Sequence, residues 1–224
     1  MSKKIVFLYF FVAIVSTTYS QNNLYRAVYN GDIEYIKRYF IARPYSDEHH
    51  NFSNSDLRIL RNTIYAMHGF KFKSKDLQEH FQKFEWYSGT KDNVEHEFSK
   101  NEFLWIRVIA ATEKANPPKP KDLIGHWQGV APPGSNQETV DCINIYIHED
   151  GTMQLDEYKG FWSLEGTTFR TSQLPSISKE IKNFRINFVE YDGELYKALS
   201  FFYGIPFYGP NKYPPVNYGS WTFP

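Results

Sequence analysis

Two rhythms of apolar residues divide the chain. Up to about residue 115 they recur three and four apart, as in Leu57, Leu60 and Ile64, which is the spacing of one helical face. From about residue 122 they alternate: Ile143, Ile145 and Ile147 fall on one side of a strand, with Cys142, Asn144, Tyr146 and His148 on the other. Between the two rhythms lies Asn116-Pro117-Pro118-Lys119-Pro120-Lys121, whose prolines exclude a helix and favour an extended spacer. The chain is therefore expected to be α+β. A small N-terminal helical domain spans about 22–115, a Pro-rich linker 116–121, and a mainly antiparallel β barrel or sandwich 122–224.

Local punctuation sharpens the helical half. Leu24 to Phe40 reads as two short helices broken at Asn30-Gly31, with Asp32 placed to cap the second. This pair, about 22–42, is similar to the helix-turn-helix of one ankyrin repeat, but no second copy follows at a compatible spacing. Ser53 and Asp56 form a short capping box, and Phe52 is placed to staple onto Leu57. Gly69 reads as a left-handed helix terminator, with Phe70 folding back on Tyr65. Ser74 is expected to cap a helix from Lys75 to Lys83, turning Leu77, Phe81 and Phe84 inward. Ser99 and Glu102 form a second capping box, with Phe98 and Phe103 as its staple. Phe103, Ile106 and Ala110, flanked by Leu104 and Val108, are the expected buried side of the last helix.

In the second half, Gly125-His126-Trp127 opens the first strand, and Asp150-Gly151, Glu165-Gly166 and Asp192-Gly193 are hairpin turns of an antiparallel meander. The tail from Phe201 is Pro-rich and aromatic and reads mostly as loop, with Ser220 to Phe223 as a last strand.

Composition and the ends add a compartment. Lys3 and Lys4 precede a largely apolar run, Ile5 to Val15, and then a polar stretch ending at Ser20. The run is shorter than the roughly 18 residues a spanning helix needs, and Thr18 and Ser20 suit the small-residue positions before a cut. Residues 1–20 thus read as a cleaved signal peptide, and the protein is expected in the periplasm, at the cell surface or secreted, with no membrane attachment after cleavage. Losing Lys3 and Lys4 from 25 basic residues leaves 23 against 25 acidic ones, a balance with no polybasic footprint for nucleic acid. Cys142 is the single cysteine, so no disulfide forms within the chain and packing must supply the stability.

The candidate chemistry is sparse. His68 lies eleven residues after Leu57 and four after Ile64, on the core side of its helix, and reads as structural rather than catalytic. His49-His50, His80 and Glu95-His96-Glu97 lack metal-ligand spacing, and there is no HExxH, cysteine pair or Gly-x-Ser-x-Gly elbow. No catalytic residue, metal or cofactor is assigned. Glu138, Glu157 and Glu165 leave paired-acid hydrolysis open, because the fold sets carboxylate separation. For binding, Arg58 and Arg61 with Lys71 and Lys73 can flank an anion, and Arg61 can stack on Trp86 or Tyr87. Tyr203, Tyr208, Tyr213 and Tyr218 can stack on sugar rings or close the barrel.

Leu57-Arg58-Ile59-Leu60-Arg61-Asn62-Thr63-Ile64-Tyr65-Ala66-Met67-His68-Gly69, followed by Phe72, Ser74, Asp76-Leu77, Phe81 and Trp86-Tyr87, resembles the YARHG domain over about 53–113. Met67 stands where the family pattern has arginine, so an anion site carried by that arginine does not transfer. The β half, through Gly125-x-Trp127 and its meander, is similar to calycin and lipocalin-like domains. The YARHG resemblance implies an exported bacterial module with a binding or envelope-associated role and no established reaction. The expected function is accordingly a non-catalytic binding or structural role at the cell envelope or outside the cell. Its partner is an envelope polysaccharide or a protein, met by Arg58, Arg61, His68, Trp86 and Tyr87. A secreted hydrolase with its site in the β domain or between domains, and a small-ligand carrier built on a lipocalin-like barrel, stay open as alternatives. No oligomeric state follows from the sequence.

Overall fold

The structure, a computed structural model, describes residues 23–41, 52–129, 143–172, 179–191, 193–202 and 205–210. The signal region, His49-His50, Glu138, Cys142, Tyr203, Tyr213, Tyr218 and the strand expected at 220–223 lie outside those residues. The chain divides into two compact units, Met1–Glu113 and Lys114–Pro224. The first is helical and the second an antiparallel sheet.

In the helical unit, α1 covers 23–30, α2 Ile33–Ile41, α3 Asn54–Met67, α4 Lys75–Phe81 and α5 Lys100–Ala115. Gly31 separates the first two with φ 70; a Cβ there would lie 2.3 Å from the Phe84 ring, so the turn needs glycine for space as well as for conformation. Asp32 caps α2 by accepting from the Tyr35 amide at 3.0 Å. Ser53 caps α3 in a complete capping box with Asp56, while Phe52 and Leu57 are both buried in the same core. Ser99 and Glu102 close a second box, Glu102 N–H to Ser99 Oγ at 3.2 Å and Ser99 N–H to Glu102 Oε2 at 2.7 Å. Leu57, Leu60 and Ile64 are fully buried, as their spacing requires.

Two helical expectations change. Ser74 occupies the N-cap of α4 but makes no capping bond; its hydroxyl goes to Asp76 and accepts from Arg58 instead. The buried face of α5 is Leu104, Trp105, Val108, Ile109 and Thr112, while Phe103 is 47% exposed. The cause is area. Trp105 packs on Tyr39 and Phe40 with ring centroids 4.6 and 5.8 Å apart, and the largest apolar side chain takes the centre of the interface. Phe103 turns to the rim, where it meets Phe98 at 5.8 Å as the expected staple.

In the second unit the described strands are β1 Gly125–Gly129, β2 Ile143–Ile147, β3 Thr152–Leu155, β4 Tyr158–Glu165, β5 Thr168–Ser172, β6 Glu180–Ile181, β7 Ile186–Tyr191, β8 Glu194–Phe202 and β9 Ile205–Tyr208. They pair antiparallel in the order β6-β5-β4-β3-β2-β1-β9-β8-β7. β1 to β6 form a meander, and β9 returns to β1, pairing Gln128 with Tyr208 and Gly129 with Phe207. Ile205 to Tyr208, expected as loop, is therefore a strand, fixed by the fully buried Phe207. The order is open, with β6 and β7 at its ends, and among the described residues no ladder joins them to close a barrel. The expected turns at Gly151, Gly166 and Gly193 all carry positive φ.

Alternation holds: Ile145 and Ile147 point into a core with Trp127, Leu155, Phe169 and Phe207. Trp127 also donates its indole N–H to Leu123 O at 2.6 Å. Asn116, the first residue of the expected spacer, is buried and clamps Ile186, its amide donating to Ile186 O at 2.6 Å and its carbonyl accepting from Ile186 N at 3.0 Å. The Pro-rich run thus starts as part of the β unit's packing. If Trp105 centres the helical core, Trp105→Ala lowers stability by about 3–5 kcal/mol, and the half-exposed Phe103→Ala costs about 1 kcal/mol or less. Urea-denaturation midpoints of the two variants check the assignment.

Candidate functional site

The motif residues are brought together by the end of α3. Gly69, at φ 80, places its N–H on Ala66 O at 2.9 Å and the Phe70 N–H on Tyr65 O at 3.1 Å, the paired bonds of a Schellman ending. The Tyr65 and Phe70 rings meet at 5.8 Å. His68 sits one residue before this turn, partly exposed rather than in the core, with its ring between two acids. Nε2 lies 2.9 Å from Glu102 Oε1 and Nδ1 3.6 Å from Glu97 Oε2. Glu97 in turn binds Lys91 Nζ at 2.8 Å, and the His68 ring leans on Phe98.

These partners set the carboxylates. Burial pushes Glu102 up, but hydrogen bonds from His68 and from the Ser99 backbone and side chain outweigh it and hold the group below its ordinary value. The Lys91 ammonium, helped by His96 and His68, lowers Glu97. Asp76 is drawn down to about 2 by the Ser74 hydroxyl and then by Arg58.

Each remaining site candidate also has an internal partner. Arg58 pairs with Asp76 and donates to Ser74 Oγ at 2.9 Å. Arg61 Nε donates to Glu113 Oε2 at 3.1 Å, so its guanidinium is engaged at α5 and not in the expected stack on Trp86 or Tyr87. Trp86 donates Nε1–H to Gly31 O at 2.9 Å and stacks on Phe84 with planes 10° apart. Tyr87 donates its hydroxyl to Phe70 O at 2.8 Å. The five residues are thus spread over several contacts of the fold. Sequence reasoning missed Glu97 and Glu113 as partners; their separations from His68 and Arg61 leave no local signal. His80, weighed from the sequence only as a metal ligand, is buried among Tyr29, Phe81 and Phe84 with ring centroids 4.8 to 5.6 Å away. Burial pushes its pKa down, Lys83 adds to that, and a backbone hydrogen bond to Val28 opposes it.

The sheet carries a second constellation on its outer face. Register places His126, Tyr146, Gln154 and Lys159 in one row across β1 to β4, and Thr152, Phe161 and Ser172 in the next, with His148 at its head. Between the rows a groove of about 350 Å³ is lined by His148, Thr152, Gln154, Lys159 and Phe161, with Met153 and Gly160 between them. His126 and Tyr146 stack at 4.3 Å with planes 7° apart, and Phe161 is 56% exposed. The alternation of Thr152, Gln154, Lys159 and Phe161 could have shown this face in the sequence; the aromatic tail drew attention instead. Of the four tyrosines of that tail, Tyr208 alone lies among the described residues, and only its backbone is described.

The helical unit is a set of capped helices, with α3 tied to α5 at both ends. Residues 33–114 match the family model described as the YARHG domain, a span from α2 to α5 that contains the residues 53–113 of the resemblance. No curated protein and no solved structure matches the chain.

His68→Ala leaves Glu102 and Glu97 without a shared partner and lowers stability by roughly 1–3 kcal/mol, read from chemical denaturation. The pH dependence has two steps. His80, with a lowered folded pKa, contributes stability that fades as pH falls below its ordinary 6.5. Glu102 and Glu97, also lowered, contribute stability that is present above their ordinary 4.5 and lost as pH drops through their folded values, with Asp76 following toward about 2. Thermal melts from pH 8 to pH 2 should show His80→Phe removing the upper step and Glu102→Gln weakening the lower one.

Proposed function

We propose that the protein is exported and acts as a non-catalytic binding protein at the cell envelope or outside the cell, with an envelope polysaccharide as its partner. Its YARHG unit is the rigid scaffold, and its sheet presents the contact surface. One observation carries this reading: the motif's polar and aromatic groups are engaged in holding the fold, each by a named internal bond. A YARHG domain is consistent with an extracytoplasmic, non-catalytic module. The apolar inward side chains of the β unit pack on one another as a single cluster, and the outside of the sheet is where aromatic and polar side chains stand together. Such mixed surfaces, on a scaffold whose own groups are satisfied, suit recognition more than turnover.

The test is sedimentation of the purified protein with isolated envelope polysaccharide. The wild-type chain is expected in the pellet, and His68→Ala, assayed below its melting temperature, is expected to pellet equally. A wild-type protein that stays wholly in the supernatant, or a His68→Ala protein that is folded but unbound, contradicts the proposal.

A further inference from the structure

We infer that the groove between the two outer rows of the sheet binds a saccharide ring bearing an anionic substituent; this rests on the binding role proposed above and assigns it a site. The argument starts from register. Met153 pairs with Gly160, and both positions face the inside of the sheet, so between the rows they present backbone alone. The rows stand two residues apart along their strands, about 7 Å, and β2 to β4 span two strand spacings, about 10 Å. That is a slot open to solvent, with a volume of about 350 Å³, at the small end of the roughly 300–1,000 Å³ typical of ligand sites. It admits a ring rather than a bulky side-chain cluster.

Its lining specifies the chemistry. Phe161 forms one wall and has no ring partner among the described residues. An exposed phenyl face offers the apolar, electron-rich surface on which the C–H face of a pyranose stacks. Lys159, two residues before it on the same face, makes no ion pair or hydrogen bond among the described residues. No carboxylate lines the groove, and the Asp150 carboxylate at the neighbouring turn is bound to the Thr152 amide at 2.9 Å and hydroxyl at 2.6 Å. Among the lining residues Lys159 thus carries the one full charge, which an anion would meet, and the His148 ring also lines the slot. Gln154 is fixed by its amide on Asp156 O at 2.6 Å, which leaves its carbonyl as an acceptor for a sugar hydroxyl. A ring wall, a free ammonium and a fixed amide within one sheet face suit an acidic sugar better than an acidic peptide. A peptide lying along the slot would use the cation and leave the ring without a matching face.

Titration calorimetry and amide chemical-shift mapping with tri-galacturonate, a sulfated chondroitin hexasaccharide, uncharged galactotriose and a Glu-rich peptide of equal charge test the inference. At least one acidic saccharide is expected to bind tenfold or more tighter than galactotriose and the peptide, shifting amides at Thr152, Gln154 and Phe161. Phe161→Ala and Lys159→Gln, both at exposed positions, should each weaken it at least fivefold with unchanged melting temperature, and the Lys159 variant should lose most of the salt dependence. Binding of neither acidic saccharide, equal binding of the peptide or of galactotriose, or variants with wild-type affinity would overturn the assignment. If the wild type and both variants pellet with envelope polysaccharide, the groove is wrong and the binding role stands. A wild type that pellets with nothing sinks the role itself.

Discussion

The helical unit depends on one left-handed residue. Gly69 ends α3, and its carbonyl accepts from the Thr90 and Lys91 amides at 3.0 and 2.9 Å, while the Lys71 amide reaches back to Lys91 O at 2.7 Å. A single backbone conformation thus fixes where the helix stops, where the chain leaves and where it returns twenty residues later. A side chain at this position would have to adopt a region L-residues rarely occupy. His68, held in place by the same turn, carries the constraint outward: its bond to Glu102 ties the C-terminus of α3 to the N-terminus of α5. The carboxylate is well placed there, because the first turn of α5 bears the positive end of the helix dipole. At the opposite end, Arg61 and the Asn54 side chain bind the Glu113 carboxylate and carbonyl at 3.1 and 3.3 Å. Two helices packed antiparallel are pinned at both ends, with Trp105 between them and α2.

That arrangement explains how the motif can look like an active site and act as a frame. A histidine between two glutamates, with a lysine behind one of them, has the residue types of acid–base chemistry. Yet both ring nitrogens face acids that have their own structural tasks, one in a capping box and one on Lys91. A polar network whose members are all hydrogen-bonded stiffens the fold around it. The sheet shows the complementary design: Trp127, Ile145, Phe169 and Phe207 centre an apolar core, while on the outer face Lys159 and Phe161 have no side-chain partner among the described residues.

What was legible in the sequence was local. Both capping boxes, the Gly31 break and the Schellman ending at Gly69 rest on residues within six positions of one another, so their chemistry is written in the order of the chain. The hairpin glycines and the inward isoleucines of β2 follow from conformation and period in the same way. The face of α5 was misread because the choice between Phe103 and Trp105 is made by Tyr39 and Phe40, more than sixty residues earlier. The partners of His68 and Arg61 lie 34 and 52 positions away, and the return of β9 to β1 spans a still longer loop. The outer groove is a product of register: Lys159 and Phe161 face His148 and Gln154 only because Met153 pairs with Gly160.

The claim that the motif histidine is a structural tie between α3 and α5 is tested most directly by a double-mutant cycle on His68 and Glu102. Unfolding free energies of the wild type, His68→Ala, Glu102→Ala and the double variant give the coupling of the pair. The account predicts a favourable coupling of about 0.5 kcal/mol or more, with polysaccharide binding unchanged in every folded variant. Additive stabilities together with loss of binding in either single variant would contradict it.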